Sequence, residues 1–272
     1  MSILKSLSYP VVMGILNITP DSFSDGGDFF SPEKALNHAR EMIAEGAVII
    51  DVGGESTRPG AEIISVDEEL SRVVPVIEAI RAESDIAISI DTSKPEVMSA
   101  AVAAGASMIN DVRALQESGA VEMAVALQVP VCLMHMQGAP QTMQLAPEYD
   151  DIIFQVKAFF QQRIEHCVEA GLARELIVID PGFGFGKTLA HNQSLLRELD
   201  QLLEFELPLL VGVSRKSMIA HMLNLPVDER LYGSISLASI AVWQGASIIR
   251  AHDVAETLQA IRISYMCRSS GN

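Results

Sequence analysis

Short apolar runs rich in β-branched residues recur along this chain, and helical patterns separate them. Parallel strands covered by helices on both faces have this continuous apolar character, because neither face of their sheet meets water. The pattern therefore predicts eight strands, at Val11–Leu16, Val48–Val52, Ile86–Ile90, Ser107–Ile109, Val129–Met134, Leu176–Ile179, Leu209–Val213 and Ala246–Ile249.

The first intervening segment predicts a helix that begins at Pro32 and stops at Gly46, since proline suits a first turn and glycine a helix end. Seven more helices are predicted, at Leu70–Ile80, Pro95–Ala104, Glu117–Leu127, Tyr149–Ala170, His191–Glu204, Glu229–Trp243 and Val254–Ile263. Eight strands alternating with eight helices predict a single (β/α)8 TIM barrel domain over residues 1–272, and an open doubly wound sheet is the competing architecture.

Polar residues follow every predicted strand, where a barrel carries its chemistry. They are Asn17, Asp51, Asp91, Asn110–Asp111, His135, Asp180, Ser214–Lys216, and Arg250 with His252. One aspartate after a strand is often a helix cap or a turn residue. Polar groups at all eight ends instead favour a shared site.

Two connections, Ile18–Phe30 and Gly53–Ser65, each run about a dozen residues, whereas βα loops usually have about 2 to 6. Both contain Gly, Pro and Ser together with polar side chains. We therefore predict long lid loops after strands 1 and 2.

The glycine-rich segment Asp180–Lys187, D-P-G-F-G-F-G-K, follows the sixth predicted strand. Its glycines allow tight turns and close approach to a ligand, and Asp180 supplies a carboxylate. A nucleotide-binding P-loop is excluded, because Pro181 occupies the position of that motif's first glycine.

Composition narrows the choice of partner and compartment. The net charge of −16 argues against a general nucleic-acid surface or an acidic membrane surface. The three cysteines are odd in number and widely spaced, which favours reduced thiols in the cytoplasm. No apolar stretch approaches the roughly 18 residues of a membrane span. The histidines of the predicted helices are scattered and H-E-x-x-H is absent, which argues against zinc.

The sequence resembles the dihydropteroate synthase family over essentially its whole length. The motifs that carry the resemblance are Met13–Gly27, Asp51–Ala61, Ile90–Thr92, Ile109–Val112, Met134–Gln144, Asp180–Lys187, Gly212–Ile219 and Arg250–Val254. Departures are Ala251, where the family usually has valine, and Tyr232–Ser234, where Gly-Thr is common. Neither departure removes a polar site residue.

The resemblance implies a transferase that joins 6-hydroxymethyl-7,8-dihydropterin pyrophosphate to p-aminobenzoate, giving 7,8-dihydropteroate and pyrophosphate. Expected catalytic residues are Asp91, Asp180, Lys216 and Arg250. The pterin is expected at Asp91, Asn110, Met134, Asp180 and Lys216, and pyrophosphate at Asn17, Arg58, Arg250 and His252. The p-aminobenzoate is expected at Thr57, Pro59, Phe185 and Ser214, and Mg²⁺ at Asn17.

The resemblance also implies a homodimer and a p-aminobenzoate site of the kind that sulfonamides target. Two alternatives remain at this point. A barrel that transfers methyl from methyltetrahydrofolate to a corrinoid protein would share Asp91, Asn110 and Asp180, but it would not need Lys216 or Arg250. A catalytically silent pterin-binding protein would be expected to have lost such cations.

Overall fold

The structure, a computed structural model, describes residues 9–18, 32–56, 62–138, 143 and 147–269. The described residues form one sheet of eight parallel strands. These are Val11–Asn17 (β1), Ile49–Gly53 (β2), Ala87–Asp91 (β3), Met108–Asp111 (β4), Val131–Met134 (β5), Ile177–Asp180 (β6), Leu210–Gly212 (β7) and Ile248–Ala251 (β8). All eight predicted strands are confirmed, with bounds that differ by one or two residues.

Hydrogen bonding places the strands in the order β6-β5-β4-β3-β2-β1-β8-β7. The two edge strands also meet, through a parallel bridge between Ile179 and Leu209. There the backbone N–H of Ile179 donates to the Pro208 carbonyl at 3.0 Å. The sheet is therefore a nearly closed barrel, which confirms the (β/α)8 prediction and excludes the open sheet.

Nine α-helices lie in the described part of the chain. They are Pro32–Glu45 (α1), Val66–Glu83 (α2), Pro95–Ala104 (α3), Ala120–Leu127 (α4), Ile152–Glu169 (α5), Leu189–Arg197 (α6), Ser217–Leu223 (α7), Leu231–Trp243 (α8) and Val254–Ser269 (α9). Three 3-10 segments, Arg174–Leu176, Leu199–Phe205 and Val227–Glu229, accompany them.

The prediction of eight helices was wrong by one, because α7 spans only seven residues, which is too short for its apolar periodicity to be distinguished from that of a strand or a loop. The predicted helix His191–Glu204 is also divided, since α6 ends at Arg197 and a 3-10 segment follows. Helix α4 begins later than predicted because Gly119 has a φ of 82°, which an α-helix does not allow.

Two apolar cores hold the barrel together. The larger lies between the helices and the outer face of the sheet, where α2, for example, buries Val73, Val76, Ile77 and Ile80. The smaller fills the barrel interior and comprises Val11, Met13, Ile49, Met108, Cys132, Val178, Leu210 and Ile248. Each fully buried large side chain contributes roughly 1.5–3 kcal/mol relative to exposure.

No helix in the described ranges has the length and apolar character needed to cross a membrane. Of the two predicted lids, Ile18–Phe30 lies outside the described residues except for Ile18, and residues 57–61 in the middle of Gly53–Ser65 lie outside them as well. Their role as lids stays a prediction.

Candidate active site

Inward-facing residues change from apolar to polar near the carboxyl ends of the strands. Residues two apart on a strand point to the same face. On four strands an apolar interior residue is followed two positions later by a polar one: Ile49 by Asp51, Met108 by Asn110, Val178 by Asp180, and Ile248 by Arg250. The polar members therefore meet at the carboxyl-terminal mouth of the barrel.

Arg250 joins strands β2, β3 and β8 through two ion pairs. Its Nε donates to Asp51 Oδ2 at 2.6 Å and its Nη2 donates to Asp91 Oδ2 at 2.8 Å. Asn110 Nδ2 also donates to Asp51 Oδ2, at 3.0 Å. Because Arg250 lies 199 residues from Asp51 in the chain, the barrel fold is what brings the pair together.

Burial and charge shift the pKa values of this cluster. Burial raises the pKa of Asp91 to about 7, although the Arg250 guanidinium opposes the rise. Burial by itself would lower the pKa of Arg250, but the carboxylates of Asp51 and Asp91 outweigh it and raise that pKa. Arg250 is therefore a permanent cation, whereas Asp91 changes charge near neutral pH.

Asp180 lies buried where β6 opens into the glycine-rich loop. Its Oδ1 accepts a hydrogen bond from the backbone N–H of Gly182 at 2.7 Å. Burial raises the pKa of Asp180, while Lys216 and the Gly182 bond act to lower it. The carboxylate is thus held in place and keeps further acceptor capacity for a ligand.

Lys216 reaches the glycine-rich loop from the segment after β7. Its Nζ donates to the Phe183 carbonyl at 2.5 Å and lies 4.7 Å from the centre of the Phe185 ring. Burial lowers the pKa of Lys216 to about 8, and Asp180 opposes that effect. The structure therefore brings Asp180, Lys216 and Phe185 together at the glycine-rich loop.

Ser214 and His252 lie in contact across the ends of β7 and β8. Ser214 Oγ is 2.9 Å from His252 Nδ1, and it accepts the His252 backbone N–H at 3.2 Å. Beside them Arg215 Nη2 pairs with Asp253 Oδ1 at 2.5 Å. The residue predicted to bind p-aminobenzoate therefore adjoins one predicted to bind pyrophosphate.

Asn17 lies half-buried at the end of β1. A methyl group added to Gly53 would lie 3.7 Å from Asn17 Oδ1 and 3.7 Å from Asp91 Oδ2, so both oxygens flank one small gap. Carboxylate and amide oxygens suit Mg²⁺, which needs few protein ligands. Among the described residues, no group of three or more His, Cys, Asp or Glu could hold a metal ion. A magnesium site here would depend on water and substrate oxygens.

Met134 is buried at the end of β5 and is the register partner of Asp180 on β6. It also borders a surface cavity of about 210 Å³, lined by Val112, Arg113, Gln116, Glu117, Met134, Met136 and Gly138. A second cavity, of about 250 Å³, lies between α1 and α2. That second cavity is remote from the polar mouth and touches none of the predicted site residues.

Thr57, Arg58 and Pro59 lie outside the described residues. Glu55, which precedes them in the same loop, contacts both the far end of that loop and the segment after β3. Its Oε1 accepts the Ile64 backbone N–H at 3.2 Å, and its Oε2 pairs with Lys94 Nζ at 2.7 Å. Lys94 in turn pairs with the fully buried Glu69 at 2.5 Å.

Sequence reasoning assigned no role to Asp51 or Lys187. Asp51 was one of the polar residues noted at the strand ends, but nothing in the sequence indicates that it pairs with Arg250. Lys187 is the last residue of the glycine-rich motif. In the structure its side chain is buried beneath that loop and is surrounded by carbonyl groups. A lysine directly after a run of loop glycines is the signal that could have indicated this support.

Residues 13–252 match the family described as pterin binding enzyme, so this barrel and its polar mouth define an enzyme of that class. The chain is 58% identical over 257 residues to the dihydropteroate synthase of Escherichia coli K12, covering 94% of this chain and 91% of that one. These findings, with the motifs at the strand ends, show that the chain belongs to the dihydropteroate synthase family.

Solved structures agree with this assignment. The Yersinia pestis dihydropteroate synthase in complex with a sulfonamide drug superposes with a TM-score of 0.93 at 56% identity, covering 97% of this chain and 96% of that one. The Xanthomonas albilineans enzyme in complex with 7,8-dihydropteroate superposes with a TM-score of 0.88 at 44% identity, covering 97% and 95%.

Proposed function

We propose that this protein is a transferase that condenses 6-hydroxymethyl-7,8-dihydropterin pyrophosphate with p-aminobenzoate, giving 7,8-dihydropteroate and pyrophosphate. Family membership supports the reaction. The observation that carries the proposal is one barrel mouth that holds both carboxylates for a polar ring and cations for an anionic leaving group.

The pterin is proposed to bind with its polar edge against the upper layer of the barrel. A pterin offers adjacent N–H donors and a ring carbonyl. The Asp180 carboxylate would accept from the donors, and Asp91 and Asn110 would meet the opposite edge. Lys216 would donate to the ring carbonyl or a neighbouring nitrogen, and Met134 would pack against a flat face.

Pyrophosphate is proposed to lie between Asn17, Arg250, His252 and Arg58. Arg250 has five N–H donors, and its ion pairs with Asp51 and Asp91 use two of them. The guanidinium therefore has donors left for a phosphate oxygen, while the aspartates keep it oriented. Arg58 is part of the proposal on family resemblance alone.

Mg²⁺ is proposed as the cofactor, held by Asn17. The Asp91 carboxylate would be a second ligand, because its Oδ2 lies on the other side of the same gap beside Gly53. When bound, the ion would neutralise negative charge on pyrophosphate oxygens. The oxygen-only character of these groups supports this choice of metal.

The p-aminobenzoate is proposed to lie at the outer side of the pterin. The Phe185 ring and Pro59 would enclose the aromatic ring, and Ser214 and Thr57 would bind its carboxylate. Ser214 supports this assignment because its hydroxyl, adjacent to His252, lies near the proposed pyrophosphate site.

The chemistry is a substitution at the pterin methylene carbon. Its bond to the pyrophosphate oxygen breaks with the electron pair leaving on pyrophosphate, and the arylamine nitrogen supplies the pair of the new C–N bond before losing a proton to water. Asp91 and Asp180 would stabilise positive charge on the pterinylmethyl group, while Arg250 would stabilise the leaving anion. No side chain must act as a strong base, because an arylamine is itself a nucleophile.

We also propose a cytoplasmic homodimer built from single-domain subunits of residues 1–272. Free thiols at Cys132, Cys167 and Cys267 support a reducing compartment. An apolar surface on α8 and α9 supports a dimer, since Trp243 and Ile263 are 53% and 66% exposed there. Sedimentation velocity tests this point: a dimeric mass is expected, and a monomer at micromolar concentration would contradict it.

The test of the activity is pyrophosphate release from the pterin pyrophosphate substrate with Mg²⁺, measured with and without p-aminobenzoate. Rapid release that requires p-aminobenzoate, together with 7,8-dihydropteroate formation, is the expected result. Pterin binding without any release would contradict the proposal and point to methyl transfer or to a silent binding protein.

A further inference from the structure

The glycine-rich loop after β6 packs against the chain that follows β5 without room for side chains. Gly182 has a φ of 68°, and a methyl group there would lie 2.0 Å from the His135 carbonyl oxygen. Gly186 has a φ of 58°, and a methyl group there would lie 2.4 Å from the Gln137 carbonyl oxygen. Such close backbone contact gathers several carbonyl oxygens into one buried space.

Lys187 fills that space with its ammonium group. The side chain is almost fully buried, at 3% exposure. Its Nζ donates to the carbonyl oxygens of Gly182 at 2.9 Å, Phe185 at 3.0 Å and His135 at 3.2 Å. It also lies 3.0 Å from His135 Nδ1. One side chain therefore connects both ends of the glycine-rich loop to the segment after β5.

The charges around Lys187 suit a structural donor. Burial and the neighbouring lysine lower the pKa of the His135 ring to about 2, so that ring is neutral and its Nδ1 can accept a hydrogen bond. Burial also lowers the pKa of Lys187 well below its ordinary value, and the nearby Asp180 carboxylate opposes that effect. In either protonation state Nζ keeps at least two N–H donors, for which the three carbonyl oxygens supply acceptors. Removing this donor would leave buried carbonyl oxygens without their partner, which is costly.

The loop that Lys187 supports carries three contacts of the candidate active site. The Gly182 N–H orients Asp180, the Phe183 carbonyl accepts from Lys216, and the Phe185 ring lies beneath the Lys216 ammonium. Asp180 itself belongs to β6, whereas Phe183 and Phe185 depend on the loop for their positions.

We propose that Lys187 is a positioning residue that sets the place of Phe185 relative to Asp180. This inference rests on the proposed function, because it predicts which substrate is affected. Loss of Lys187 would impair the p-aminobenzoate site, to which Phe185 is assigned, more than the pterin site, which Asp180 on the strand anchors.

Lys187→Met tests the proposal, because methionine has similar length and no donor. The KM for p-aminobenzoate is expected to rise about tenfold, while the dissociation constant of the pterin substrate changes by less than about threefold. The proposal would be overturned if the KM for p-aminobenzoate and the dissociation constant of the pterin substrate were both unchanged. In that case any lower kcat would reflect only a smaller fraction of folded protein. Lys157→Met is the matched control, since Lys157 lies on α5 and pairs with Glu204 at 2.8 Å.

A measurement that does not depend on catalysis tests this inference separately from the proposed function. Hydrogen exchange at the backbone amides of residues 182–187 is expected to accelerate about tenfold or more in Lys187→Met relative to wild type. Unchanged exchange would overturn the positioning role whether or not the wild type makes 7,8-dihydropteroate. An inactive wild type with accelerated exchange in the variant would count against the reaction alone.

His135→Phe provides a milder variant for the case in which Lys187→Met does not fold. Phenylalanine keeps the aromatic contact with Phe159, whose ring centre lies 4.9 Å away, and removes both ring nitrogens, including the Nδ1 that lies next to Lys187 Nζ. A rise of about threefold in the KM for p-aminobenzoate is expected, in the same direction as for Lys187→Met. An unchanged KM together with unchanged exchange at residues 182–187 would overturn the proposal.

Discussion

The interior of this barrel has two halves that share the same strands and the same inward face. The amino-terminal half is an apolar plug of residues such as Ile49, Val178 and Ile248, whereas two residues further along come Asp51, Asp180 and Arg250. The plug stabilises the fold by excluding water. The polar half places charges in a site whose floor is apolar, where electrostatic interactions are strong.

The comparison shows that two inward-facing residues only two positions apart on one strand can belong to different parts of the barrel. The first stabilises the fold, and the second lies in the polar candidate site. Substitutions in the plug should change the free energy of unfolding and leave the active site of folded molecules unchanged. Substitutions in the polar half should change activity, or leave a buried charge without its partner. Pairs on one strand, such as Ile248 and Arg250, make this comparison testable with everything else constant.

The largest effect is expected for Arg250→Met. The substitution leaves the carboxylates of Asp51 and Asp91 without their shared cation, and such a loss costs roughly 3–5 kcal/mol in the free energy of unfolding. Ile248→Val, in the plug of the same strand, should cost only about 1 kcal/mol. Urea denaturation of the two variants measures both values, and equal destabilisation would contradict the distinction between the halves.

Asp180→Asn is expected to lower kcat/KM for the pterin substrate about 100-fold, because the amide loses both the charge and one acceptor. Its stability should change little, since burial already raises the pKa of this carboxyl. Val178→Ala, on the same strand, should cost roughly 2 kcal/mol of stability and leave kcat/KM per folded molecule unchanged. Wild-type kinetics for Asp180→Asn would refute the assignment of the pterin site.

The pH dependence of kcat/KM for the pterin substrate should be bell-shaped. Activity is expected to fall below pH 7 as Asp91 becomes protonated, and to fall above pH 8 as Lys216 loses its proton. Each limb should change about tenfold per pH unit beyond its pKa. Lys216→Arg keeps the cation and should remove the alkaline limb, so a limb that persists in this variant would show that another group titrates there.

The same shift in Asp91 affects stability with a definite sign. Its folded pKa of about 7 exceeds the unfolded value of 3.8, so the folded state holds the proton more tightly. The resulting stabilisation is present at low pH and is lost as pH rises through about 7. Asp91→Asn should therefore flatten the dependence of unfolding free energy on pH between about 4 and 7.

The smallest effect is expected for Arg40→Gln on α1. Arg40 pairs with Glu83 at 2.6 Å, but both side chains are about half exposed, so water screens the interaction. The free energy of unfolding should change little, and activity should not change, because a surface ion pair contributes little to stability. A loss as large as that of Arg250→Met would show that burial is not what makes the interior ion pairs important.

The architecture could be predicted from the sequence because each strand of a covered parallel sheet must be apolar on both faces. The step from Val178 to Asp180 was visible for the same reason, as was the polar end of every strand. Helix α7, by contrast, is too short to show a periodic pattern, and the division at Arg197 left no signal that we recognised.

The sequence indicated which residues form the candidate site better than it indicated which of them contact one another. The Asp51–Arg250 pair joins residues near opposite ends of the chain, and closure of the barrel alone makes them neighbours. Burial of Lys187 depends on the course of the glycine-rich loop past His135, which the residue types by themselves do not specify. Residue identity therefore indicated the chemistry, and the fold determined the partners.

The most direct test of the polar half as the pterin site is a crystal structure of the protein with bound 6-hydroxymethyl-7,8-dihydropterin. We expect the N–H edge of the ring to donate to the Asp180 carboxylate, with Asn110 and Asp91 at the opposite edge and Met134 against one face. A pterin bound outside the barrel mouth, with Asp180 contacting only the loop backbone, would contradict the account.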